Sequence, residues 1–179
     1  MSIIFQITKD PRNLDQYYQL RQACFRKELG ISDFDGTEDE IDRRSHLLLA
    51  LHDEHCIGGA RISCNLPNST LLQELSLEKA SHRICMWERF VIDPDARNEQ
   101  LFRNFCAHLI DVSQLLGFQY SLVLSSQRNA RFYRKYHTAL GIEFQVHRHV
   151  PDCAADSFSG LEHYVSVAGL QWECGLTRV

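Results

Sequence analysis

The 179-residue sequence predicts a single α/β domain, a central mixed and mostly antiparallel sheet flanked by helices. Three observations predict it. Apolar residues recur with period two in some stretches and with three-four spacing in others, and the two patterns alternate along the chain. The run ICMWERFVI at 84–92 is apolar on both alternating faces, as a central strand is. No internal repeat, low-complexity tract or Pro/Gly/Ser-rich linker interrupts the chain, so one domain is expected to span 1–179.

Taken in order, SIIFQIT (2–8) reads as a short strand, and Pro11 and Asn13 lead into a helix over about 14–29. Leu14, Tyr17, Tyr18, Cys24 and Phe25 form its apolar stripe, Arg21 falls inside that stripe, and Gly30 ends it. An acidic loop, DFDGTEDEID, precedes a hairpin of HLLLAL and CIGGARISC joined by the turn DEH. A short helix is expected over 71–79, then the central strand, broken by Asp93-Pro94-Asp95. A strong helix over 99–116 carries Phe102, Phe105, Cys106, Leu109, Val112 and Leu116 on one stripe, with Gly117 as its stop. The strand YSLVLSS follows, then a helix over 129–140 with Phe132, Tyr133, Tyr136 and Leu140 on one side. Strands at 142–148 and 161–168, separated by a loop at 151–160, close the chain.

With 44% hydrophobic and 23% charged residues and a net charge of −4, the composition is that of an ordinary soluble domain. A dedicated nucleic-acid binder would be basic, and a membrane span needs an apolar run of about 18 residues, which is absent. The N-terminus MSIIFQITKD puts its apolar run before its lysine, the reverse of a signal peptide, so a cytoplasmic protein is expected. The seven cysteines are scattered without a CxxC pair and read as reduced core residues. His147 and His149 share one side of a strand, but no third ligand is placed beside them, so no metal is expected.

The informative segment is the strand–turn–helix unit at 88–116. A helix that opens directly after a strand presents unpaired N–H groups and the positive end of its dipole, the usual means of holding a phosphate-bearing cofactor. Arg97 and Arg103 would supply countercharge. Within the strand, Glu88 is a carboxylate in apolar surroundings. Such a group must be paired or have a raised pKa, and either suits a general base for an amine nucleophile; the competing reading is a structural ion pair with Arg61.

The order of elements, with ERFVIDPDARNEQLFRNFCAHLI and QRNARFYRKYHTALGIEF, resembles the GNAT superfamily of N-acyltransferases over about 14–148. The resemblance implies an acyl-CoA donor, acetyl-CoA first among them, and direct attack by the primary amine of a small molecule on the thioester. Carried over, Arg97 would begin the pyrophosphate loop and the backbone of Asn98, Gln100, Leu101, Phe102 and Arg103 would face the pyrophosphate. Asn129 would contact the cofactor arm. Phe90, Val91 and Ile92 would contact the cofactor, the backbone after the strand 84–92 would polarise the thioester carbonyl, and Tyr133 would protonate the leaving thiolate. Gln100 and Phe102 stand where the family's loop has glycines, which let backbone approach phosphate.

The N-terminal half is similar to acyl-homoserine-lactone synthases in the order of Arg21, Phe25, Asp39, Asp42, Arg61 and Arg89. That similarity implies S-adenosylmethionine as substrate, held by those six residues, and acyl carrier protein as donor and partner. Arg97, Arg103, Arg128, Arg131, Arg134 and Lys135 could form the basic patch an acidic carrier needs. The family's Trp after the first helix is absent here, and its Glu three residues before the Arg-Phe pair falls on Met86.

Bland readings stand beside these. Asp39 and Asp42, three apart, also fit helix capping, and Arg21 could face a pocket or snorkel to the surface. Tyr133 and Tyr136 also fit a helical core stripe. A GNAT domain that binds without catalysing would also accommodate the missing glycines. The C-terminal GLQWECGLTRV could be an edge strand that pairs a homodimer.

Overall fold

The computed structural model describes residues 2–149, 158, 161 and 163–170. β1 (Ile3–Ile7), α1 (Pro11–Glu28), α2 (Glu40–Arg43), β2 (His46–His52), β3 (His55–Ser63) and α3 (Ser69–Glu74) form the first half. A 3₁₀ helix (Glu78–Arg83), β4 (Ile84–Ile92), α4 (Glu99–Leu115), β5 (Tyr120–Ser125), α5 (Gln127–Ala139), β6 (Glu143–His149) and β7 (Tyr164–Gly169) complete it. The seven strands make one sheet in the order β1-β2-β3-β4-β5-β7-β6, antiparallel throughout except for the parallel β4–β5 pair.

Alternation along the strands assigns the layers. Leu47, Leu49 and Leu51 of β2 pack with Tyr17, Cys24 and Phe25 of α1, whereas Leu48 and Ala50 pack on the opposite face with Phe102, Phe105, Cys106 and Leu109 of α4. A third cluster joins Leu72 of α3 with Leu77, Ile84, Met86 and Leu122. Four of the five described cysteines (Cys24, Cys56, Cys85, Cys106) are buried and free; Cys64 is free and exposed.

Capping chemistry moves several boundaries. Asp10 accepts from the Arg12 and Asn13 amides and Pro11 sits in the first turn, so α1 starts three residues before the expected position. The helix expected over 71–79 divides at Ser76, whose φ of 57° breaks it into α3 and the 3₁₀ turn. The acidic loop contains α2, closed by a reciprocal capping box between Asp39 and Asp42. Ser126 caps α5, which starts at Gln127, two residues before its expected position. On the two apolar stripes, Leu116 and Phe132 are 38% and 42% exposed rather than buried. The loop at 151–160, Phe158 apart, and the C-terminal segment from 171 lie outside the described residues. No described helix is long and apolar enough to cross a membrane.

Candidate active site

β4 pairs with β5 only from Ile84↔Tyr120 to Trp87↔Val123; past Trp87 the two parallel strands have no ladder between them. The cause is local. Between Arg61↔Glu88 and Gly59↔Val91, β4 holds one residue more than β3, a bulge at Arg89 and Phe90. Arg89 takes φ 53° there, and face parity reverses: Cys85 and Trp87 share the α4 cluster with Ile92. The Phe90 ring fills the gap edge-on against Phe102 and Phe105, with centroids 5.5 and 5.2 Å away. The opened seam becomes a cleft of about 1170 Å³, lined by Glu88 through Ile92 on one side and by Val123 through Ser126, Asn129 and Tyr133 on the other.

Glu88 stands on the α1 side of β4, its side chain 22% exposed. Its Oε2 accepts from Arg61 Nε at 3.1 Å and from the Ser63 hydroxyl; Oε1 accepts no bond among the described residues. The Arg61 guanidinium, 1% exposed, also donates through NH1 to both Asp39 oxygens and to Asp42 Oδ1 at 3.0 Å. Burial opposes its charge, but Glu88, Asp39 and Asp42 together raise its pKa above the ordinary value. The ion pair with Arg61 is therefore real, and it leaves Glu88 in the cleft.

The expectations for Arg21, Asp39 and Asp42 need correction, because none of the three lines the cleft. Arg21 is buried against α2, donating to Asp42 Oδ1 and Oδ2 at 3.1 and 2.9 Å and to the Gly36 and Thr37 carbonyls. It neither snorkels nor faces a pocket. Gly36 allows this because a Cβ there would fall 2.4 Å from Gln22 Cβ. Burial raises the Asp42 carboxyl, but bonds from Arg21, the Asp39 amide and the Arg61 charge bring it net below its usual value. The acidic loop is thus an internal clamp on Arg61. Phe25, Arg61 and Arg89 do reach the cleft, and the Arg89 guanidinium lies 4.2 Å from the Phe158 ring centroid.

At the other wall, Tyr133 is 8% exposed, its phenol pKa raised by burial and, secondarily, by Cys106. Phe102 belongs to the same aromatic cluster, its ring 4.5–5.5 Å from those of Phe90, Phe132, Tyr133 and Tyr136. Side-chain packing rather than phosphate approach accounts for its presence at a glycine position. Asn98 caps α4, accepting from the Leu101 amide, and lines the cleft with Arg97 and Asn129. Arg97 is committed to Glu28 at 2.6 Å and to the Ile92 carbonyl. Gln100, Leu101 and Arg103 do not line the cleft; Gln100 bonds Asn104 and Leu101 is buried. Of the expected basic patch, Arg97, Arg128, Arg131 and Lys135 line the cleft, and Arg103 and Arg134 do not.

Two residues went unread in the sequence. Ser63 is two positions from Arg61 on β3, so period-two alternation puts both on one face, the signal that could have found it. Tyr17 was taken only as stripe; its hydroxyl donates to the Arg89 carbonyl at 2.8 Å.

The fold is shared with solved acyltransferases. The structure of the acyl-homoserine-lactone synthase LasI superposes with a TM-score of 0.68 at 19% identity, covering 95% of this chain and 91% of its own. An N-acetyltransferase from Staphylococcus aureus Mu50 gives 0.66 at 10% identity, with 96% and 100% covered. BjaI, a CoA-dependent acyl-homoserine lactone synthase solved with SAM and isopentyl-CoA, gives 0.64 at 17%, with 94% and 82% covered. No curated protein matches the sequence. These likenesses define a GNAT-type acyltransferase fold. Residues 16–150 match the family model of the N-acyl amino acid synthase FeeM, and the chain belongs to that family. It is an N-acyltransferase.

Proposed function

We propose that the protein moves an acyl group from an acyl-CoA thioester to the α-amine of an amino acid by direct attack within the cleft. The observation that carries this reading is Glu88: one carboxylate oxygen is fixed by Arg61 and Ser63, and the residue lines a seam where the β4 backbone has lost its neighbour. The family's description as an N-acyl amino acid synthase supports the acceptor class. BjaI, solved with isopentyl-CoA, supports the donor class. The cleft suits such a donor. Val123, Leu124 and Phe132 offer apolar wall, and Arg128 and Arg131 add cations to the lining for phosphates.

The thioester supplies an activated acyl carbon and a thiolate leaving group. Glu88 Oε1 takes the proton that the amine must lose as its nitrogen bonds that carbon. The Phe90 amide, on the stretch of β4 without a β5 partner, donates to the carbonyl oxygen as charge builds on it. Tyr133, kept protonated by its apolar surroundings, gives its proton to the sulfur as the C–S bond breaks. Solvent then returns the Glu88 proton to Tyr133, so the sum is one amide and one free thiol.

A mass-spectrometric screen of acyl-CoAs of graded chain length against the amino acids tests this, with S-adenosylmethionine as a separate acceptor. N-acyl amino acid with matching release of CoA is expected. Formation of acyl-homoserine lactone alone, or no consumption of any acyl-CoA, would contradict it. The S-adenosylmethionine reading is the weaker one, because Arg21, Asp39 and Asp42, which it needs as ligands, do not line the cleft.

A further inference from the structure

Among the described residues four non-glycines have positive φ, and three of them, Asp53, Glu54 and Ser76, sit in turns. The fourth, Arg89, lies inside a strand, with φ 53° in a conformation that is strained for an L-residue and persists only where surrounding contacts impose it. One contact on it comes from α1, on the side of the sheet where Glu88 stands. Tyr17, wholly buried on α1, reaches over β3 and donates its hydroxyl to the Arg89 carbonyl at 2.8 Å. Its path depends on Gly59, where a Cβ would come within 2.5 Å of the Tyr17 ring.

We propose that Tyr17 is a positioning residue for acyl transfer: its hydroxyl pins the β4 bulge through the Arg89 carbonyl and so aims the N–H of the same peptide, that of Phe90, at the donor carbonyl. The inference rests on the proposed reading that an acyl thioester lies in this cleft. Its physical content is simple. The bulge sets the direction of the next amide, a residue with positive φ is free to relax toward the ordinary extended region once unpinned, and relaxation would turn that amide away. Tyr17 is suited to the task because it stays neutral: burial, and secondarily Asp42, push its phenol up to about 12 against the opposing pull of Arg21 and Arg61. The Arg21 guanidinium lies 5.4 Å from the centroid of the same ring, so α1 presents one face to the clamp that holds Glu88 and to the bulge. The base and the amide donor are then set from a single helix.

Tyr17→Phe removes the hydroxyl and keeps the ring packed on Gly59. The expected result is a kcat about tenfold lower with KM unchanged within twofold, a fraction of the ~10²–10³ lost when an oxyanion donor is removed outright. The decisive readout is the infrared band of a ¹³C=O-labelled acyl-CoA bound without acceptor. In the wild type the band should fall below its position for free donor, and in Tyr17→Phe it should move back toward that position. A general loosening of the fold would lower the melting temperature without moving the band of bound donor. An unmoved band and unchanged kcat in Tyr17→Phe, with the wild-type band shifted, would overturn the inference and leave the donor reading intact. Bound donor with no shift in the wild type would overturn it without recourse to the variant. Absence of any bound donor in the wild type would sink both.

Discussion

The Arg61 Nε lies 3.1 Å from Glu88 Oε2, and the same guanidinium reaches Asp39 and Asp42 through its other nitrogen. One buried cation thus joins a carboxylate in the cleft to two carboxylates of the acidic loop, with Arg21 behind them as the second cation. Two arginines face three carboxylates. The arrangement fixes Glu88 in place without closing it off, because its side chain keeps 22% of its surface while Asp42 keeps none.

Removing Arg61 would leave three carboxylates converging without their common partner. Arg61→Met is expected to cost about 3–5 kcal/mol, the usual penalty for breaking a buried ion pair from one side. Urea unfolding at pH 7 measures it. A loss below about 1 kcal/mol would mean that the clamp does not hold the site.

The Asp42 carboxyl is held below its ordinary 3.8, and the sign of the resulting pH effect follows. Above the unfolded value Asp42 is charged in both states and its stabilising share is complete. As pH falls below about 3.9, the unfolded chain takes up the proton first, and the share is lost as pH passes down through the folded value. Arg21→Met removes the largest charge partner, so its acid-unfolding midpoint, followed by far-UV circular dichroism, should lie at higher pH than that of the wild type.

His137 shows the opposite case for a base. It is wholly buried between the Trp87 and Phe144 rings, its Nδ1 bonds the Tyr133 carbonyl at 2.7 Å, and its Nε2 has no partner among the described residues. Burial lowers its pKa from 6.5 to about 4, only partly offset by that bond. Between those values the unfolded chain binds a proton that the folded chain refuses, so stability should fall by about 3 kcal/mol from pH 6.5 to 4. His137→Phe should flatten that slope, and urea unfolding at pH 5 and 7 compares the two. An unchanged slope would contradict it.

Phe102 occupies a position where a glycine would favour phosphate approach, yet it is the hub of the aromatic cluster under Tyr133. Phe102→Ala is expected to lose about 3 kcal/mol of stability to the cavity left behind, with no gain in donor affinity. Tighter acyl-CoA binding in that variant, read by titration, would show the ring to be an obstruction.

Most of the fold was legible because periodicity and punctuation agree. Gly30 and Gly117, read as helix stops, both take positive φ, and HLLLAL packs both of its faces. The bulge was hidden for a reason. ICMWERFVI is apolar on both faces, so a one-residue insertion leaves no break in its pattern, and the residue that absorbs the strain is an arginine rather than a glycine. Glu88 with Arg61 was readable from neighbouring strands of one hairpin and its successor. Arg21 was not, because its partner Asp42 comes from a loop folded back over α1, and that return depends on the close approach at Gly36. For Asp39 and Asp42 the sequence offered capping only as the alternative to substrate binding; the capping box is present, and the arginines they hold lie elsewhere in the chain.

The central claim is that Glu88 takes the amine proton while the cleft holds the donor, and Glu88→Gln tests it most directly. The amide keeps the shape and can still accept from Arg61 and Ser63. Turnover of acyl-CoA with an amino-acid acceptor should fall by about 10²–10⁴, the share of a general base, while acyl-CoA affinity measured by titration stays within twofold of wild type. Turnover within a few-fold of wild type in a folded Glu88→Gln enzyme would contradict the account.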